Sequence, residues 1–264
     1  MLLLLTACMT MDGFFFSPEK VDAYMLASDV IPAENLEEVT FETPDGLTLH
    51  GVWAHQAPGE TAPVLLYFHG NARNIDEYMG QLGHYWIWGF ETFIFDYRGF
   101  GRSDGDADYE GILADGVAAV EYVEDTTGLA PGSFPYLGLS LGGTVAVHTA
   151  GTNPPSVLIT EDMFASGEKL IDDGSALDLP AGWMVEDAWD NTAAAADVHV
   201  PYLVIHGAAD TFIQPSHAEA VYTAANDPKK LWLVPGSGHA QAHLNAPDDY
   251  RANVTCWIDQ ACPE

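Results

Sequence analysis

A chain of 264 residues that is 48% hydrophobic, with seven Trp, eleven Tyr and twelve Phe, carries enough apolar bulk for one sizeable core. Eight Lys and Arg against 39 Asp and Glu leave a formal net charge of −31 with histidine neutral, and so acidic a surface repels nucleic-acid phosphates and anionic lipid head groups alike. The same charge suits a salty medium, where ions screen its self-repulsion.

The chain opens on an apolar run, Met1-Leu2-Leu3-Leu4-Leu5-Thr6-Ala7-Cys8. It resembles a bacterial lipoprotein signal, with Leu5-Thr6-Ala7-Cys8 in the place of the lipobox. That resemblance implies acylation of the Cys8 thiol and cleavage just before it; the alternative is a degraded ordinary signal or a frayed apolar end. Residues 1–8 are therefore read as signal and 9–35 as a tether, with Gly13, Pro18 and Pro32 around the cluster Phe14-Phe15-Phe16. The tether is expected to pack loosely on the domain. No later stretch approaches about eighteen uncharged apolar residues, so the membrane is expected as a partner through the lipid anchor alone, in the cell envelope.

Residues 36–264 form the expected domain. Leu36 to Thr43 and Leu47 to Trp53 alternate in the manner of strands around the turn Pro44-Asp45-Gly46, which predicts an antiparallel hairpin. Solid apolar runs follow: Val64 to Phe68, Thr92 to Phe95, Tyr136 to Leu139, Val157 to Thr160, Tyr202 to Ile205 and Leu231 to Val234. Helical patterns lie between them at Asp76 to Trp88, Tyr109 to Thr126, Gly142 to Thr149 and His217 to Ala225, and the last at Asp248 to Ile258. This alternation predicts an α/β fold, a largely parallel sheet covered by helices on both faces. The stretch 161–199 breaks the rhythm with Gly167, Gly174, Pro180 and Gly182, and reads as a short cap-like insertion. With Cys8 set aside, Cys256 and Cys262 remain as an even pair, which suggests a disulfide over two free thiols.

The chemistry concentrates at strand ends. Gly138-Leu139-Ser140-Leu141-Gly142-Gly143 follows one apolar run and opens a helix, and the glycines two residues to either side of the serine suit a tight strand-to-helix turn where larger side chains would collide. A serine hydroxyl needs a base and a group to orient that base. Asp210 lies just past the run Tyr202 to Ile205, and His239 follows Leu231 to Val234 through Pro235-Gly236-Ser237-Gly238. Asp197 and Asp227 are weaker choices for the acid, and His243 is a weaker choice for the base. No cluster has the ligand spacing of a zinc or calcium site, so no metal and no organic cofactor is expected.

The Gly-Leu-Ser-Leu-Gly motif and the order Ser140, Asp210, His239 resemble the α/β-hydrolase family, and the resemblance spans about Leu36 to Ile258. It implies the α/β-hydrolase fold: about eight strands, mostly parallel, with an N-terminal antiparallel hairpin and a minimal cap. It also implies a catalytic triad of Ser140, Asp210 and His239. Phe68-His69-Gly70-Asn71-Ala72 resembles the family's oxyanion loop, which implies that the backbone amides of Asn71 and Leu141 meet the oxyanion, with Ala72 as the fallback and His69 as a buttress. Asp96-Tyr97-Arg98-Gly99-Phe100-Gly101-Arg102-Ser103 also recurs in the family, and Arg98 and Arg102 are expected to fix that loop through hydrogen bonds, with buried pairing to Asp96 or Asp104 as the alternative. Of the few cations, Arg73 beside the oxyanion loop is the first candidate to meet an anionic group, should the substrate carry one. Phe164, Trp183 and Phe212 are expected to line an acyl pocket, with Gln214 adding a polar group.

The pattern is closest to lid-poor esterases and thioesterases. It implies a serine hydrolase acting on a small ester-like molecule; the oligomeric state is left open, with a monomer favoured. A thioesterase, an aminopeptidase-like acyl hydrolase and a non-catalytic envelope lipoprotein that uses the fold for binding are the alternatives.

Overall fold

The computed structural model describes residues 16–57, 62–173 and 189–262. Eight strands form the main sheet: β1 (Leu36–Glu42), β2 (Thr48–Ala54), β3 (Val64–Phe68), β4 (Glu91–Phe95), β5 (Tyr136–Leu139), β6 (Leu158–Glu161), β7 (Tyr202–Gly207) and β8 (Lys229–Val234). Their spatial order is β8-β7-β6-β5-β3-β4-β2-β1. The β1–β2 hairpin turns at Asp45 and Gly46 and lies at one edge. β2 runs antiparallel to both its neighbours, and every other pairing is parallel.

The continuous apolar runs follow from burial on two faces. β3, β5, β6 and β7 are buried at every position, whereas the edge strand β8 is only half covered and begins with Lys229 and Lys230. Alternate residues divide between two cores. Leu66, Phe68, Phe93, Phe95 and Tyr136 face α2 (Tyr109–Thr127) and α3 (Leu141–Thr152). Leu65, Tyr67, Ile94, Leu137 and Ile159 face α1 (Met79–Ile87) and the last helix. Beyond α3 come α4 (Gly167–Asp172), α5 (Asn191–Ala196), α6 (Ser216–Ala224), α7 (Ala242–Asn245) and α8 (Pro247–Ile258). β4 and β5 flank β3 on opposite sides, so strand order reverses there and the C-terminal ends of the strands open a crevice.

The described part of the N-terminal tether, from Phe16 onward, is docked firmly, contrary to the loose packing expected of it. Phe16, Tyr24 and Ile31 are buried in the cores. Ser17–Pro18 pairs in parallel with Ala72–Arg73, and Lys20 bridges to Gly101. The Tyr24 hydroxyl donates to buried Asp96 at 2.6 Å, and Asp76 accepts from the amides of Met25 and Leu26. Polar staples and three apolar anchors do here what no regular periodicity announces.

The arginines of the loop after β4 pair with acids other than Asp96 and Asp104. Arg98 reaches Asp115 of α2 at 2.7 Å and Asp45 of the hairpin turn at 3.1 Å, and Arg102 reaches Glu38 at 2.6 Å. Asp104 instead accepts from the amide of Thr48. Arg98 thereby ties the hairpin to the first face of the sheet. Cys256 and Cys262 are disulfide-bonded, Cα to Cα 5.0 Å. No helix among the described residues is long and apolar enough to cross a membrane. Cys8 and the middle of the insertion, 174–188, lie outside the described residues.

Candidate active site

Ser140 stands between β5 and α3 with φ +54°, a backbone conformation that costs an L-residue about 1–3 kcal/mol and is characteristic of functional turns. The turn is closed by the Ser140 amide donating to Glu161 O at 2.8 Å and the Gly143 amide donating to Ser140 O at 3.0 Å. Gly142 is dictated by contact: a Cβ there would lie 2.0 Å from the carbonyl oxygen of Phe68. The twelve-residue α3 starts at the next residue, so its positive end lies against the serine.

The three residues predicted to act together are brought together. His239 Nε2 lies 3.2 Å from Ser140 Oγ, and His239 Nδ1 lies 2.7 Å from Asp210 Oδ2. Since a carboxylate only accepts, Nδ1 carries the proton and Nε2 is left to take one from the hydroxyl. The other oxygen of Asp210 accepts from the amides of Phe212 at 2.8 Å and Ile213 at 3.0 Å. Burial works against its charge. The hydrogen bond and charge of His239 and the two amides outweigh it, holding the carboxyl below its ordinary value. The two loops are pressed together, because a Cβ on Gly207 would meet Gly238 O at 2.6 Å.

On the opposite flank, His69 is fully buried, donates from Nδ1 to Gly70 O at 2.7 Å and places Nε2 3.2 Å from Asp96 Oδ1. Tyr97 donates to His69 O at 2.9 Å. His69 is thus a buttress of the loop, as expected. The loop adjoins the serine: a Cβ on Gly70 would lie 3.6 Å from Ser140 Cβ. The amide of Ala72 is spent on the Tyr78 hydroxyl at 3.1 Å, which removes the fallback oxyanion donor. The Asn71 side chain accepts from the amide of Ser17 at 3.0 Å.

The expected pocket residues fare unevenly. Phe212 stands edge-on to His239 with ring centroids 5.0 Å apart, at the rim of the site. Phe164 is 1% exposed and packs with Leu170 and Ile213 in a small core. Gln214 is exposed and donates to Asp173 O at 3.0 Å, joining the acid loop to the insertion and not reaching the triad. Trp183 lies outside the described residues. Arg73 is paired with Glu19 at 2.8 Å and Glu77 at 3.7 Å. His243 packs against His84 and is pushed down to about 4 by burial and by that neighbour.

Two acids at the end of β6 escape the sequence reading. Asp162 is fully buried and accepts from the amides of Gly207 at 2.8 Å and Ala240 at 2.7 Å. Glu161 is 3% exposed and accepts from the Tyr250 hydroxyl at 2.7 Å. The signal available in the sequence was a pair of acids capping an apolar strand. One ligand-type atom each of Asp162, Asp210 and His239 lies within 4.8 Å of the others, yet these carboxylate oxygens are already engaged by amides and by the imidazole.

A model of the alpha/beta hydrolase fold family matches residues 63–158. An uncharacterized protein of Mycobacterium tuberculosis is 33% identical over 222 residues, which cover 83% of this chain and 76% of that protein. An uncharacterized protein of Escherichia coli K12 is 28% identical over 257 residues, covering 93% and 86%. Among solved structures, an esterase of Pyrococcus furiosus superposes with a TM-score of 0.74 at 17% identity, over 92% of this chain and 98% of that one.

Proposed function

The chain belongs to the α/β-hydrolase family, and from that premise we propose that it is a serine hydrolase that cleaves carboxylic esters or related acyl bonds of small molecules through an acyl-enzyme. The observation that carries the reading is the unbroken relay from Ser140 Oγ through His239 to Asp210, at 3.2 and 2.7 Å. Ser140 attacks the acyl carbon while His239 Nε2 takes its proton. Asp210 holds the imidazole in the required tautomer and offsets the charge of the imidazolium. The amides of Asn71 and Leu141 are the donors assigned to the tetrahedral oxyanion, where fixed backbone dipoles need no reorganisation. His239 then returns the proton to the leaving oxygen. A water, activated by the same imidazole, releases the acid and frees the serine.

A panel of p-nitrophenyl esters, thioesters and aminoacyl amides of graded chain length tests the reading and ranks the bond types. Hydrolysis that vanishes in Ser140→Ala supports it, and hydrolysis retained by that variant refutes it. The apolar leader ending at Cys8 supports a lipid-anchored placement in the cell envelope. In that case Cys8→Ser releases the protein from the membrane fraction, and unchanged partitioning argues against the anchor.

A further inference from the structure

The catalytic base sits on a loop, and loops need an external hold if a reacting group is to keep its place. Among the described residues, the carboxylate that supplies this hold is Asp162. Its Oδ2 accepts from the amide of Ala240, the residue directly after His239, and its Oδ1 accepts from the amide of Gly207, three residues before Asp210. Its own amide donates to Ile205 O at 3.0 Å, and the carbonyl of the preceding Glu161 accepts from the amide of Ser140 at 2.8 Å. Asp162 thus touches the backbone of the two segments that carry Asp210 and His239, and its neighbour Glu161 holds that of Ser140. Both Asp162 and Ala240 hold a left-handed backbone, φ +51° and +55°, which an L-residue keeps only when its surroundings over-determine it.

We propose that Asp162 is a positioning residue for the acyl-transfer site: its two carboxylate oxygens clamp the His239 loop to the end of β7, and its charge adds a second anion beside the imidazole. The inference rests on the Ser140–His239–Asp210 reading. The chemistry of the side chain explains the choice of residue. Asn would offer one acceptor and turn an N–H₂ group toward a second N–H donor, and Ala would orphan both amides in a buried site. The groups that face Asp162 are His206, with Nδ1 at 3.6 Å, His239, Asp210 and the adjacent Glu161. The imidazolium formed during acyl transfer therefore meets two carboxylates.

The test joins kinetics on Asp162→Asn to hydrogen exchange on the wild-type protein. Active sites are titrated with a fluorophosphonate, so that rates refer to folded molecules alone. The clamp predicts kcat per titrated site lower by about 10²-fold, the loss typical of a slightly misplaced group, with KM changed less than about threefold. It also predicts an acid limb of the pH profile moved to lower pH, because one stabilising charge is gone. A kcat per site within twofold of wild type and an unmoved profile would overturn the proposal. If the variant does not fold, exchange on the wild-type chain decides: the Ala240 amide should be strongly protected despite its place in a loop, and exchange at the rate of an unstructured peptide contradicts the clamp. Loss of the triad reading is recognised separately, by wild-type activity surviving in Ser140→Ala.

Discussion

The adjacent carboxyls at the end of β6 show how differently two buried acids are treated at the scale of the residue. Asp162 receives two backbone amides. Glu161 receives the Tyr250 hydroxyl, and its Oε1 has no hydrogen-bond partner among the described residues. Burial, reinforced by the charge of Asp162, pushes the Glu161 carboxyl up to about 8, so it is protonated at neutral pH. In the unfolded chain it ionises freely at its ordinary, much lower value. The folded state therefore binds a proton that the unfolded state gives up. Stability from this group is full in acid and is lost as pH rises from the ordinary glutamate range through about 8. Glu161→Gln keeps an acceptor for Tyr250 and has no charge to bury. Its thermal melts should lose much of the wild-type decline between pH 5 and 8, a difference on the order of a few kcal/mol. Parallel pH profiles for the two proteins would contradict the assignment.

At the scale of the element, the segment from Phe16 to Ile31 is part of the domain's architecture and braces the loop after β3 from outside. Its central polar contact is Tyr24 to Asp96, the same carboxylate that meets His69 and accepts from the amide of Ile75. Tyr24→Phe removes a donor from a buried charge, and unfolding experiments should show a loss of about 1–3 kcal/mol. An unchanged melting temperature would mean that the segment is held by its apolar anchors alone.

This segment also marks what the sequence could and could not disclose. Ser140, Asp210 and His239 were legible because each follows an apolar run, and strand ends are where an α/β sheet gathers its chemistry. The hairpin was legible from Asp45-Gly46, and the crossovers from the alternation of runs with helical patterns. The docking of residues 16–31 was not, because it depends on isolated anchors and long-range staples without any period. The same holds for Arg98, whose partners Asp45 and Asp115 stand 53 and 17 residues away. Asp162 was hidden for a related reason: its role lies in two backbone amides from distant loops, and every residue but proline carries such an amide.

For the whole molecule, the net charge of −31 is the dominant long-range force. The cations are few, and Arg73, Arg98 and Arg102 are already engaged in ion pairs. The remaining acidic coat repels itself across the folded surface. Raising monovalent salt from about 0.1 M to about 1 M shortens the screening length from ~10 Å to ~3 Å. The melting temperature should rise accordingly with NaCl and with KCl alike. A flat or falling dependence would show that the acidic surface is not a burden on the fold.

The central claim is that Ser140 is the nucleophile of an assembled relay, and covalent trapping with peptide mapping tests it most directly. Native protein treated with a fluorophosphonate should gain a single adduct on the peptide that contains Ser140, and the adduct should fail to form after heat unfolding. A native protein that stays unmodified at saturating probe, or an adduct that maps to another residue, would contradict the account.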